Sequence, residues 1–193
     1  MFAVRIHGRG GQGAVTAAEM LSVAVFDEGR HAQAFPTFGS ERTGAPVVAF
    51  CRIDDRPIRL REPITDPDAV IVQDPTLLHQ VNLFAGLESG GFLLVNTSRR
   101  LGDLGLDDLG RRLSPTHAIA VPATEIAREH LGRPLPNAAL LGAFAALTEV
   151  VSLGAVCEAI RSRFPGAVGE GNARAAEVAH EHVVSSLRRS ADA

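Results

Sequence analysis

Hydrophobic residues fall along this chain in two rhythms. Short, continuously apolar runs stand at 2–6, 69–73, 92–96 and 117–121. That is the pattern of strands buried on both faces of a parallel sheet. His31 to Phe35 and Val47 to Ile53 read as two further strands, and Asp54-Asp55-Arg56 predicts a hairpin turn with Pro57 to Leu60 as its return strand. Helical signals alternate with the strands, and the last third is helical throughout. Thr124 is placed to cap a helix reaching Leu131, Asn137 to start one running to about Val151, and Ser152 to cap a third ending at Phe164. Pro165-Gly166 breaks the chain before a charged helix from about Asn172 to Arg188. The segment 137–151 is apolar on almost every face, so it is expected to be buried, with a shared subunit interface the favoured setting. The sum is an α/β fold. It is Rossmann-like and doubly wound, with a largely parallel sheet and a helical C-terminal third, in one domain over residues 1–190.

The first strand runs into Gly8-Arg9-Gly10-Gly11-Gln12-Gly13, and that loop runs into the alanine-rich stretch 14–21. This is the strand–turn–helix opening of a doubly wound fold. Glycines there let the backbone turn sharply, and the loop N–H groups with the positive helix end favour an anion. The spacing G-x-G-x-x-G is weak on its own, because a tight turn packing strand on helix accounts for it equally. A dinucleotide site also needs an acid at the end of the second strand to bind the ribose. Here that strand ends in Phe35-Pro36, which counts against NAD.

Composition narrows the field. The 193 residues are 46% hydrophobic and 21% charged, as in ordinary globular proteins. The net charge of −3, with all nineteen basic residues arginine, gives no footprint for nucleic acid. Residues 1–61 hold eight arginines against six acids, and the remainder eleven against sixteen. An anionic ligand or partner would therefore be steered to the N-terminal part. Cys51 and Cys157 stand alone. An iron–sulfur cluster needs about four thiolates, so this chain is not expected to hold one. The first strand begins at the second residue and the longest apolar run is too short to span a bilayer. A cytoplasmic protein without a membrane partner is expected.

The segment 36–46 packs an aromatic, two glycines, an acid and a base into one shaped loop: Phe38-Gly39-Ser40-Glu41-Arg42-Thr43-Gly44 between two prolines. In a doubly wound sheet it begins at the same edge as the glycine loop. Arg42 could then present a fork of donors to a phosphate or carboxylate, against the alternative of a surface pair with Glu41. The seven histidines form no metal-type spacing. His7, beside the glycine loop, is expected to be a hydrogen-bonded packing residue. No triad, Cys–His pair or carboxylate pair stands out. Such a chain looks like part of an enzyme.

These stretches together resemble the gamma subunits of 2-oxoacid:ferredoxin oxidoreductases of the pyruvate and branched-chain ketoacid types. The matching residues are the glycine loop with Thr16-Ala17, Phe35 to Val47, Arg52 to Arg59, Val72 to Leu78, Val121 to Ala127, Asn137 with Leu141-Gly142-Ala143, and Asn172. Thr43 stands where a second arginine is common in the family. The resemblance implies a complex that converts a 2-oxoacid and coenzyme A to acyl-CoA, carbon dioxide and reduced ferredoxin. Thiamine diphosphate, Mg and iron–sulfur clusters would sit on partner subunits: thiamine-bearing alpha and beta chains and a ferredoxin-like delta chain, with ferredoxin as acceptor. It assigns this chain no catalytic residue and no metal. The expected anion, coenzyme A or partner site is Gly8, Gly10, Gly11, Gln12, Gly13, Glu41 and Arg42. The competing readings are a regulatory module binding an anionic metabolite and a freestanding NAD(P)-linked reductase.

Overall fold

A computed structural model describes residues 1–37, 43–114 and 116–191. Six strands form one sheet: β1 (Phe2–Arg9), β2 (His31–Pro36), β3 (Pro46–Asp54), β4 (Ala69–Val72), β5 (Phe92–Asn96) and β6 (Ala118–Val121). The helices are α1 (Ala14–Asp27), α2 (Asp107–Arg112), α3 (Ala123–Leu131), α4 (Asn137–Thr148), α5 (Leu153–Arg163) and α6 (Ala167–Ala191). The strand order is β2-β3-β1-β4-β5-β6. β1, β4, β5 and β6 run parallel, while β3 is antiparallel to both β1 and β2.

The α/β class and the mostly parallel sheet agree with the sequence, but the position of β2 does not. After α1 the chain crosses to the sheet edge as β2 and returns as β3 between β2 and β1. β3 therefore has both edges taken, and Pro57 lacks an N–H to donate. The expected return strand at 57–60 accordingly does not form; that stretch is irregular, and just beyond it the Glu62 carbonyl accepts from Arg52 at 2.6 Å.

The two sheet faces are covered unequally. One face carries Val4, Ile6, Ala49, Cys51, Ile53, Ile71 and Leu94 under α1, α4 and their neighbours. The other buries Val70, Val72, Leu93 and Val95 under short turns and the segment around Leu83, Leu106 and Leu113. Residues 137–147 of α4 are buried on every side, packed against α6, α5, α1, α3 and β5. The expectation of a subunit interface is thus corrected: the chain's own helices enclose α4. Gly142 explains the close fit, because a Cβ there would collide with the Ala176 carbonyl of α6.

Helix ends show local chemistry. Ser152 caps α5, its Oγ accepting from Ala155 N at 3.1 Å. Thr124 does not cap α3; it lies inside the first turn. Asn96 at the end of β5 takes that role, its Oδ1 accepting from Thr124 N at 3.1 Å and its Nδ2 donating to Thr124 Oγ1 at 2.8 Å. No helix among the described residues is long and apolar enough to cross a membrane.

Candidate functional site

β1 runs three residues further than its apolar core, so Gly8 belongs to the strand, opposite Val47 of β3, and not to the loop expected from the glycine spacing. It is still a place for glycine: a Cβ would sit 2.6 Å from the buried Gln73 Oε1. The true loop is 10–13. Gly10 N donates to the Ala45 carbonyl at 2.9 Å, Gly44 N donates to the Gly10 carbonyl at 3.1 Å, and Gln12 N donates to the Arg9 carbonyl at 3.0 Å. Gly11 and Gly13 hold φ of 93° and 78°, a region costly to residues with a Cβ. At Gly13 a Cβ would also meet Asn137 Nδ2 at 2.7 Å.

Gly13 opens α1 without a side-chain cap, and the first turn of α1 carries no acid. The helix N-terminus faces a cleft of about 450 Å³, walled by Gly10, Gly11, Gly13, Thr16, Thr43 and Val47. Uncapped first-turn donors and the positive helix end make this cleft favourable to an anion.

The crevice between β1 and β4, where strand order reverses and doubly wound folds usually hold ligands, is occupied by protein. Arg9 Nε meets Asp74 Oδ2 at 3.1 Å, and its other nitrogens reach the Gly44 carbonyl, Thr76 Oγ1 and Gln80 Oε1. Gln12 donates to the same Asp74 oxygen at 2.8 Å and accepts from Arg9 N at 2.8 Å. Burial pulls the Asp74 carboxyl upward, but hydrogen bonds from Thr76 and Gln12 and the charge of Arg9 outweigh it, so its pKa lies below the ordinary carboxylate value. Gln12 thus spends its side chain on the loop's shape. Arg9 and Asp74 were not singled out from sequence, although Asp74-Pro75-x-Leu77 carries a helix-start signature: an N-cap acid followed by Pro at the first helical position.

The edge position of β2 also bears on NAD. In a dinucleotide site the ribose acid ends a strand beside β1; here β3 fills that place. Glu41 and Arg42 lie outside the described residues. Their flanks do not: Thr37 N donates to the Val48 carbonyl at 2.9 Å, and Thr43 lines the cleft.

His7 points to the opposite sheet face from Gly8, beside Arg5. It is buried, and its Nε2 has no partner among the described residues, so the expected hydrogen bond is not found there. Burial, then the charge of Arg5, pushes its pKa down to about 4. Arg5 itself donates to the carbonyls of Leu83 at 2.8 Å and Ala85 at 2.6 Å. The two cysteines are free and buried; burial pushes the Cys51 thiol up to about 12 and raises that of Cys157. Neither is an activated nucleophile. No group of three or more His, Cys, Asp or Glu among the described residues is placed to hold a metal.

The arrangement favours an anion, and the described residues that line the cleft include no His, Asp or Glu to act as a general base. Known proteins give the same chain length and sequence features a context. The family model for pyruvate ferredoxin/flavodoxin oxidoreductase matches residues 3–182. The pyruvate/ketoisovalerate oxidoreductases common subunit gamma of Thermococcus kodakarensis is 52% identical over 184 residues, covering 95% of this chain and 98% of that one. The pyruvate synthase subunit PorC of Methanothermobacter thermautotrophicus is 48% identical over 183 residues, covering 95% and 96%. The crystal structure of pyruvate oxidoreductase subunit PORC from Thermotoga maritima superposes with a TM-score of 0.78 at 37% identity, over 93% of this chain and 95% of that chain. Matched over most of its length in both sequence and fold, the chain belongs to the pyruvate ferredoxin/flavodoxin oxidoreductase family.

Proposed function

We infer that this chain is the gamma subunit of a 2-oxoacid:ferredoxin oxidoreductase complex. It supports the coenzyme A-dependent oxidative decarboxylation of pyruvate or a related 2-oxoacid, giving acyl-CoA, carbon dioxide and reduced ferredoxin, in the cytoplasm. The chain acts as one unit over residues 1–190 and is not catalytic alone. Two buried cysteines on separate elements, β3 and α5, do not fit a cluster that needs about four thiolates. The clusters, thiamine diphosphate and Mg belong to the alpha, beta and delta partners.

The observation that supports a role in coenzyme A handling is the uncapped N-terminus of α1, opening without any first-turn acid into the cleft beside Gly10, Gly11 and Gly13. Backbone N–H groups there would hold a phosphate of coenzyme A. Arg42, assigned from its place in the sequence, would add a charge-assisted hydrogen bond. Gln12 shapes the loop, Gly8 at the end of β1 leaves room for Gln73, and Glu41 stands next to Arg42 in the sequence. In the assembled complex Arg42→Ala should raise the coenzyme A KM roughly ten- to a hundredfold, the equivalent of about 1.5–3 kcal/mol, with the 2-oxoacid KM nearly unchanged. Thr16→Glu, which puts a carboxylate in the first turn, should raise the same KM while leaving the chain as stable or slightly more so. An unchanged coenzyme A KM in both variants would sink this reading; loss of assembly at moderate salt would assign the site to partner docking instead.

A further inference from the structure

A second concavity lies where the end of α3, the start of α4 and the start of α6 meet, with a volume of about 520 Å³. Its walls are apolar: Leu135, Phe164 and Val168 line it, and Val168 and Leu135 remain 58% and 37% exposed. Its one formal charge is cationic. Arg133 lines it beside His130, and Arg133 makes no ion pair among the described residues. The acid in the first turn of α6, Glu170, is taken by Arg161 at 3.0 Å.

Two asparagines, Asn137 and Asn172, stand in the same wall although they are only 6% and 5% exposed. Asn137 makes no side-chain hydrogen bond among the described residues, and Asn172 spends only its Nδ2, donating to the Val168 carbonyl at 2.8 Å. Both carboxamides thus line the groove with hydrogen-bonding capacity that the described side chains leave unspent. Carboxamides match the donor and acceptor of an extended peptide group. The anion cleft uses none of these residues except through Asn137, whose Nδ2 lies 2.7 Å from where a Cβ on Gly13 would be.

Resting on the gamma-subunit reading, we propose that this groove docks an extended segment of a partner subunit, with an aliphatic side chain between Leu135 and Val168 and a neighbouring carboxylate on Arg133. Asn137 and Asn172 pair with its main chain. Apolar walls favour the aliphatic anchor, and the unpaired Arg133 at the rim selects the acid. Because Asn137 is shared, the docked segment is seated directly against the glycine loop.

The test uses the complex co-expressed with its alpha, beta and delta subunits. Val168→Glu combined with Arg133→Glu alters two exposed side chains, so the isolated chain should melt within a few degrees of the wild type. Its dissociation constant for the partners should rise at least tenfold. A benzoylphenylalanine at position 135 should cross-link to a partner subunit, at a peptide holding an acid within a few residues of an aliphatic side chain. Wild-type affinity in the folded double variant, or a cross-link to a second copy of this chain, would overturn the proposal. Failure of the wild-type chain to bind any partner would instead remove the subunit reading on which it rests.

Discussion

Gly11 and Gly13 look alike in sequence and differ in what surrounds them. Both hold positive φ, but a Cβ at Gly11 would enter open space while one at Gly13 would press on Asn137. Gly11→Ala should cost about 1–2 kcal/mol from conformation alone. Gly13→Ala should cost about 2–4 kcal/mol, because overpacking adds to it. Denaturant unfolding of the two variants measures the gap, and equal losses would mean Asn137 yields freely. His7 gives a second residue-scale test. Its folded pKa of about 4 lies below its ordinary value of 6.5, so the unfolded state binds the proton first as pH falls. Stability from keeping His7 neutral is intact above about 6.5 and is lost down to about 4, on the order of 3 kcal/mol in all. His7→Leu should flatten that part of the stability profile; parallel profiles for the two proteins would contradict the assignment.

At the scale of elements, α4 is the test of what the core is made of. Leu140, Leu141 and Phe144 are each 1% exposed, and burying each contributes about 1.5–3 kcal/mol. Leu141→Asp should therefore cost about 4 kcal/mol or more in the isolated chain, read as a lowered melting temperature with no partner present. A normal melting temperature combined with failed assembly would restore the interface expectation. The apolar rhythm alone made α4, β4, β5 and the cap at Ser152 legible, because each depends on neighbours in sequence. It did not reveal that β3 sits between β2 and β1, that Asn96 caps α3 from another element, or that Arg9 and Gln12 spend themselves on Asp74. Those are long-range pairings with no local signature. The return strand expected at 57–60 failed for the same reason: nothing local shows that both edges of β3 are already taken. The site was legible as a glycine loop with a helix behind it, while the closure of the β1–β4 crevice and the groove beside Asn137 needed the fold.

As a whole molecule, this chain is one part of an oxidoreductase whose chemistry is completed by other subunits. Its helix end and glycine loop face a cleft favourable to an anion, and its cysteines are buried. The most direct measurement is 2-oxoacid- and coenzyme A-dependent reduction of ferredoxin, or of a dye in its place. It is taken first with the purified chain and then with the alpha, beta and delta subunits added. No turnover is expected from the chain alone, none from the partners without it, and turnover when all are combined. Substantial activity from this chain by itself, or full activity from the partners in its absence, would contradict the subunit reading.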